Sequence, residues 1–330
     1  MLRLVSYLVL LFIPASAQVS VPVIIDTDAG SDDLIAIAFL LARHDVPIQA
    51  ITVANGLAHV RPGARNIGRL LELAGRRDIP VYVGRPEPLQ GHAEFPAPWR
   101  RDSDRLPGVH LPTAARGPEA MPAARFLASR LSHPNSKVRI LALGPLTNLA
   151  EALTRTPASA QAIAEIVIMG GAIRSRGNLD DGGFFKTSNK TAEWNIFVDP
   201  LAAATVFRSG VPIRLVPLDA TNKVKIDAAF LTEFDKRELT PLGHFVREIL
   251  ATERASIEGG YYYAWDPLAA AALAEPSVVT TTPMSIEIRR HPPETGRTAE
   301  VPGGKPNAAV AMDADAAGFR KLFLNAFAKN

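Results

Sequence analysis

Residues 21–43 read VPVIIDTDAGSDDLIAIAFLLAR, and this stretch decides the fold. VPVIID (21–26) is a continuous apolar run ending in a charge, the pattern of a strand buried on both faces. DLIAIAFLLAR (33–43) is apolar nearly all round at helical length, so it reads as a helix packed in the interior. The joint between them, DTDAGSDD (26–33), puts four carboxylates within eight residues. A buried strand passing through a short turn into a buried helix opens a parallel α/β sheet.

The same alternation continues downstream. IQAITVA (48–54), PVYVG (80–84), VRILALG (138–144) and IAEIVIMGG (163–171) read as strands. ARNIGRLLELAG (64–75), AARFLASRLS (123–132) and LTNLAEALTR (146–155) read as helices between them. The expected class is α/β, an open, mostly parallel sheet with helices on both faces. Residues 85–122 and 174–192 break the rhythm, and loops of that length in a compact domain usually carry function. Past 217 the pattern is mixed, with helices near 227–255 and 266–274 and β-structure with Pro- and Gly-rich turns over 284–310. With no internal repeat and no long linker, residues 18–330 read as one domain.

The chain has 330 residues, 47% of them apolar, enough for a sizeable core. Its net charge is +3 with the two signs interspersed, which argues against a nucleic-acid partner. The start, MLRLVSYLVLLFIPASA (1–17), has a basic Arg3, a short apolar run, Pro14 and a small-residue ending, the pattern of a secretory signal cut after Ala17. That run is shorter than the ~20 residues a membrane span needs. The mature product is therefore expected to be exported, periplasmic or secreted, and free of the membrane. The sequence contains no cysteine, so neither disulfides nor lipidation of a cysteine contribute.

The carboxylate cluster requires a positive partner. Asp26 and Asp28 lie two apart at a strand end and share a side. Gly30 permits the turn, Ser31 is a good N-cap, and Asp32 and Asp33 fall in the first helical turn. The helix dipole accounts for one or two acids at ~0.3–1 kcal/mol each, not for all four. An EF-hand loop is excluded because Ser31 and Ile37 stand where it needs its glycine and glutamate. A hard divalent cation is the simplest answer: calcium suits several carboxylates and carbonyls, and magnesium remains open.

DTDAGSDD resembles the signature of the nucleoside hydrolases, which split the N-glycosidic bond of ribonucleosides. ALGPLTNLA (142–150), IVIMGGA (166–172), AEWNIFVDP (192–200) and WDPLAA (265–270) resemble further segments of that family, in its order. The resemblance runs from about 21 to 275 and implies the family's Rossmann-like fold. It also implies a calcium ion held by Asp28, Asp33, Asp266 and the backbone carbonyl of Thr147. Asp26 would be a ligand or a residue that orients the ligands. Asp28 would be the general base on water, and Asp32 would bind the ribose hydroxyls. Asn178, Glu193 and Asn195 would bind the ribose, and Met169 would line the sugar pocket or simply pack in the core. Asn189 rivals Asn178, because the insertion LDDGGFFKTSNKT lies between Asn178 and Glu193. Asn55 would lie near the site. Ala29 replaces the family's common proline, a change expected to be harmless because the turn depends on Gly30.

Where many members carry a histidine before the last metal aspartate, this chain has Trp265. Its indole N–H cannot serve as a general acid. The arrangement resembles the purine-specific branch, where two tryptophans sandwich the base; Trp99 would be the second. Tyr261, Tyr262, Tyr263, Arg100 and Arg101 are candidates to close over the base, and His59, His92, His110 and His244 are spare acids. The resemblance implies a purine nucleoside substrate and a homo-oligomer, with a dimer favoured. A nucleoside-binding protein with little catalysis, or a hydrolase of a related N-riboside, are the alternative readings.

Overall fold

The computed structural model describes residues 21–180 and 183–329; the signal peptide expected over 1–17 lies outside them. Ten strands are β1 Val23–Thr27, β2 Ile48–Val53, β3 Val81–Val83, β4 Val138–Ala142, β5 Ile163–Met169, β6 Ile213–Val216, β7 Val279–Met284, β8 Ile286–Ile288, β9 Thr298–Glu300 and β10 Ala308–Ala314. Helices α1 to α7 are Ser31–Ala42, Val60–Leu73, Ala97–Arg105, Ala123–Arg130, Thr147–Arg155, Trp194–Val198 and Pro200–Phe207. Helices α8 to α13 are Leu218–Thr221, Ala228–Asp235, Pro241–Thr252, Arg254–Glu258, Trp265–Ala274 and Ala316–Phe327.

Eight strands form one sheet in the order β3-β2-β1-β4-β5-β6-β10-β7, and β8 and β9 pair separately. All pairings in the large sheet are parallel except β10 with β7 at one edge. The class expected from the sequence is the one observed. Alternation along β1 sends Val23 and Ile25 to the side of α1, α2, α10, α12 and α13, and Ile24 to the side of α4, α5 and α7. Two cores therefore cover the two faces, which is why β1 is apolar throughout. Among the described residues no helix is long and apolar enough to cross a membrane.

The chain steps outward from β1 through β2 to β3, then returns to place β4 on the other side of β1. The loops leaving β1 and β4 diverge at this point, and such a crevice at the carboxyl strand ends is where open α/β sheets bind ligands. The whole DTDAGSDD segment sits there.

Three local readings change. Helix α2 begins at Val60, four residues before the expected start. The segment 85–122 contains α3, which its polar sequence hides: only Arg100 and Ser103 are buried, so no apolar period marks it. Pro98 in its first turn is the one signal present. In the β1–α1 turn, Gly30 rather than Ser31 is the N-cap, and the left-handed residue is Ala29 at φ 58° rather than Gly30. Gly30 matters through space instead: a Cβ there would lie 2.8 Å from Leu57 Cδ1.

Candidate active site

Asp28 leaves the end of β1 fully buried. Its Oδ2 accepts a hydrogen bond from the Leu57 N–H at 2.9 Å, while its Oδ1 is buried without a partner. Two glycine backbones press against it. A Cβ on Gly56 would stand 2.0 Å from Asp28 Oδ2, and one on Gly144 would stand 2.8 Å from Asp28 Cβ. Asp33 organises the turn: its Oδ1 accepts from Thr27 Oγ1 and from the Asp28 N–H at 3.1 Å, and its Oδ2 from the Gly30 N–H at 3.1 Å. Asp266 enters from the first turn of α12, buried, with its Oδ1 unpartnered. Oxygens of Asp32, Asp33 and Asp266 lie within 4.8 Å of one another.

Burial dominates the electrostatics. It holds Asp28 and Asp266 well above the usual carboxylate range, with Asp33 adding repulsion to both. Burial also lifts Asp33 to about 6, with repulsion from Asp32, and Asp32 to about 7, with repulsion from Asp28. Buried acids with orphaned oxygens pressed together are a costly arrangement unless a cation joins them. The residues present therefore fit a divalent cation with oxygen ligands.

Asp26 does not line the cleft. Its Oδ1 accepts from Thr52 Oγ1 at 2.6 Å and Asn148 Nδ2 at 2.8 Å, and burial raises it to about 7. Thr147 departs from expectation. It lies in the first turn of α5 with its hydroxyl on Asp199 at 2.7 Å, and its carbonyl points along the helix. The residue that lines the cleft after β4 is Leu143.

The cleft has a volume of about 710 Å³. Asp28, Asp32, Asp33, Asp266, Met169, Asn178, Glu193, Asn195, Trp99 and Trp265 all line it. Glu193 caps α6, accepting from the Asn195 and Gly171 N–H groups at 2.9 Å each and from Ile196 at 3.3 Å; burial lifts it to about 7. Asn195 Nδ2 donates to Leu143 O at 2.8 Å. Asn178 Oδ1 accepts from the Trp194 N–H at 3.2 Å. Asn189 is away from the cleft: its Nδ2 donates to Thr295 O at 2.7 Å and its Oδ1 closes the local turn onto Thr191. Met169 does both things weighed for it, ending a core strand and lining the cleft.

At the mouth, Trp99 packs edge-on against Trp194 and Phe184, centroids 5.9 Å apart in each case. Trp265 packs edge-on against Tyr262 at 5.4 Å. Among the described residues, every charged one lining the cleft is an acid. None of the histidines lines it: His59 pairs with Asp104, His110 with Glu248 and His244 with Arg247. Arg100 does not reach over a base either. It is buried beneath α3, donating to Asn55 Oδ1 at 2.7 Å and pairing with Glu94 at 3.0 Å, and Asn55 is thereby turned from the cleft. Tyr261 and Tyr262 line the cleft; Tyr263 and Arg101 do not.

Several lining residues were not foreseen. Phe95 and Phe184 are brought in by the long loops and Trp194 by the start of α6, while Ser31 comes from α1, Asp102 from α3 and Glu253 from the α10–α11 junction. Trp194, beside Glu193 in EWN, Ser31, within DTDAGSDD, and Phe184, within the insertion before Glu193, had local signals.

Residues 23–321 match the family described as inosine-uridine preferring nucleoside hydrolase. The chain belongs to that family. This nucleoside hydrolase is 34% identical over 316 residues to the pyrimidine-specific ribonucleoside hydrolase RihA of Salmonella paratyphi B, covering 92% of this chain and 97% of that protein. It resembles the solved purine-preferring ribonucleoside hydrolase of Gardnerella vaginalis with a TM-score of 0.80 at 26% identity, covering 92% of this chain and 97% of that one. It resembles the inosine-uridine preferring nucleoside hydrolase of Bacillus anthracis with a TM-score of 0.80 at 26% identity, covering 93% and 99%. The chain is thus an N-ribosyl hydrolase acting on ribonucleosides, small molecules that the cleft accommodates. The family is metal-dependent, and the acidic floor is where a metal fits.

Proposed function

We propose that this hydrolase cleaves purine nucleosides to free base and ribose with calcium as its cation. One observation carries the reading: unpartnered, buried carboxylates of Asp28 and Asp266 stand with Asp33 at the floor of a cleft whose mouth holds Trp99 and Trp265. Asp28, Asp33 and Asp266 would hold the cation, with the carbonyl of Leu143 taking the part expected of Thr147 and Asp26 fixing the geometry from behind. The cation supplies Lewis acidity and offsets the crowded negative charge.

Asp28 takes a proton from the attacking water as the C1′–N bond breaks and the base leaves with the bonding electrons. Positive charge growing on the ribose is favoured by the surrounding acceptors. Asp32, Asn178, Glu193 and Asn195 hold the ribose hydroxyls, Glu193 being fixed by three backbone donors and so pre-organised. With no histidine in the cleft, the base gains its proton from solvent while held between the indoles of Trp99 and Trp265. The mature enzyme is exported as one domain and works as a homodimer.

The test is a substrate panel with the calcium-loaded enzyme. Inosine and guanosine should be turned over faster than uridine and cytidine, and excess chelator should abolish all four activities. A pyrimidine preference is the second reading, favoured by the specificity in the name of the RihA relative. Faster turnover of uridine would establish it and reject the purine assignment.

A further inference from the structure

Trp99 and its neighbour Arg100 leave α3 in different directions. Trp99 lines the cleft, while Arg100 runs inward beneath the helix and is only 4% exposed. An arginine buried to that degree needs partners for its planar fork of donors. Its Nη1 pairs with Glu94 at 3.0 Å, and its Nη2 donates to Asn55 Oδ1 at 2.7 Å. The Glu94 side chain is 60% exposed, so solvent screens that pair, and Asn55 is the interior partner.

Asn55 belongs to the loop that touches Asp28. The loop leaves β2 and is tied to the β1–α1 connection at both ends: the Ala54 N–H donates to Thr27 O at 2.8 Å and the Ala58 N–H to Asp28 O at 3.0 Å. Between those ties the Leu57 N–H holds Asp28 Oδ2, and the Gly56 backbone lies so near that a Cβ on it would stand 2.0 Å from the same oxygen. A backbone packed that closely against a carboxylate cannot shift without displacing it. We infer that Arg100 is a positioning residue: through Asn55 it fixes residues 55–57 against Asp28, and so ties the helix that carries Trp99 to the carboxylate that takes the proton from water. Helix α3 is also held by Asn66 Nδ2 on Ser103 O at 3.0 Å and by the His59 N–H on Asp104 at 2.8 Å. Loss of Arg100 therefore leaves α3 attached and releases the loop. The inference rests on Asp28 being the base and a cation ligand.

The experiment compares Arg100→Met, Asn55→Ala and the double variant with the unmodified enzyme. It measures kcat and KM on whichever of inosine and uridine is turned over faster, the calcium Kd by calorimetry, and the melting temperature. Methionine keeps the apolar packing of the stem and removes the fork. Each single variant should lose about tenfold in kcat and weaken calcium binding by about threefold or more, as expected when a partner that orients a ligand is lost. The double variant should stay within about twofold of Arg100→Met, because both substitutions break the same link. Arg100→Met should also raise KM by loosening Trp99, whereas Asn55→Ala should leave KM within about twofold. A lower melting temperature with kcat and calcium Kd unchanged, or losses that multiply in the double variant, would overturn the assignment and leave Arg100 as packing beneath α3. If Arg100→Met does not fold, unchanged kcat and calcium Kd in Asn55→Ala overturn it alone. Asp28→Ala, measured alongside, separates the two levels: near-normal turnover there rejects the role of Asp28 itself, while an inactive Asp28→Ala beside fully active Asn55→Ala rejects only the role of Arg100.

Discussion

The floor and the mouth of the cleft are built by different means. The floor hangs on the sheet: Asp28 at the end of β1, Leu143 after β4, Met169 at the end of β5, and Asp266 in the first turn of α12. Its side chains are buried, Asp28 is held by the Leu57 N–H, and glycine backbones are pressed close around it. The mouth hangs on connections: α3 within a long Pro-rich segment, the α10–α11 junction, and the tyrosines before Trp265. Phe184 and Tyr261 there are 59% and 61% exposed, among the few large apolar side chains of the described residues left in water. A rigid floor suits a reaction on an invariant ribose, whereas a loop-borne mouth can vary with the base.

This contrast can be broken most directly at Asp28. Asp28→Ala should lower kcat/KM by about 10³-fold or more, because it removes a proton acceptor and a cation ligand together. The same variant should raise the melting temperature of the metal-free protein, since it removes a buried repulsion. Near-normal turnover would detach Asp28 from the chemistry.

The acidic interior also sets a pH dependence for the metal-free protein. Glu193 and Asp26, both raised to about 7 by burial, bind protons in the folded state that the unfolded chain releases near pH 4. Stability should therefore fall as pH rises from about 4 to about 7. Added calcium should restore more of the melting temperature at pH 8 than at pH 5, where protons compete for the ligands. An equal calcium shift at both pH values would remove the floor as the binding site.

A smaller effect is expected one step back from the chemistry. Gly56→Ala places a Cβ 2.0 Å from Asp28 Oδ2, so the carboxylate must shift, and a displacement of that kind costs about 10²-fold in kcat. At the mouth, Trp265→Ala should cost roughly five- to 150-fold in kcat/KM, the value of ~1–3 kcal/mol of stacking, and more for inosine than for uridine. Equal losses on both would leave Trp265 as packing only. The smallest effect belongs to Asn189→Ala. It should reduce the melting temperature by breaking the turn onto Thr295 and Thr191 while leaving kcat/KM within about twofold. A KM change as large as that of Asn178→Ala would return Asn189 to the site.

The sequence was most readable where local and tertiary demands coincide. The strand-turn-helix of residues 21–43 needs apolar residues on every side, so its burial is written in the chain itself. Its acids are legible because so many carboxylates in one turn require a counter-charge. Helix α3 was not legible, because it buries Arg100 and Ser103 rather than an apolar stripe. That Thr147 opens α5 off the cleft lining was not legible either, because a motif match does not say which residue of a turn faces the cleft.

By itself, then, the sequence determined the α/β class and the acidic turn, while the residues of WDPLAA and EWN came from the resemblance to the nucleoside hydrolases. Periodicity and local charge are properties of short segments, and they survive without knowledge of neighbours. Only the tertiary structure put Asn178 and Leu143 on the cleft lining while leaving Asn189 and Thr147 off it, and turned Arg100 and Asn55 inward upon each other. Only it brought Ser31, Asp102, Glu253 and Tyr262 into the lining of one cleft. Contacts between residues as far apart as Ser31 and Glu253 are set by how helices pack on the sheet, and no local signal in the chain encodes that geometry.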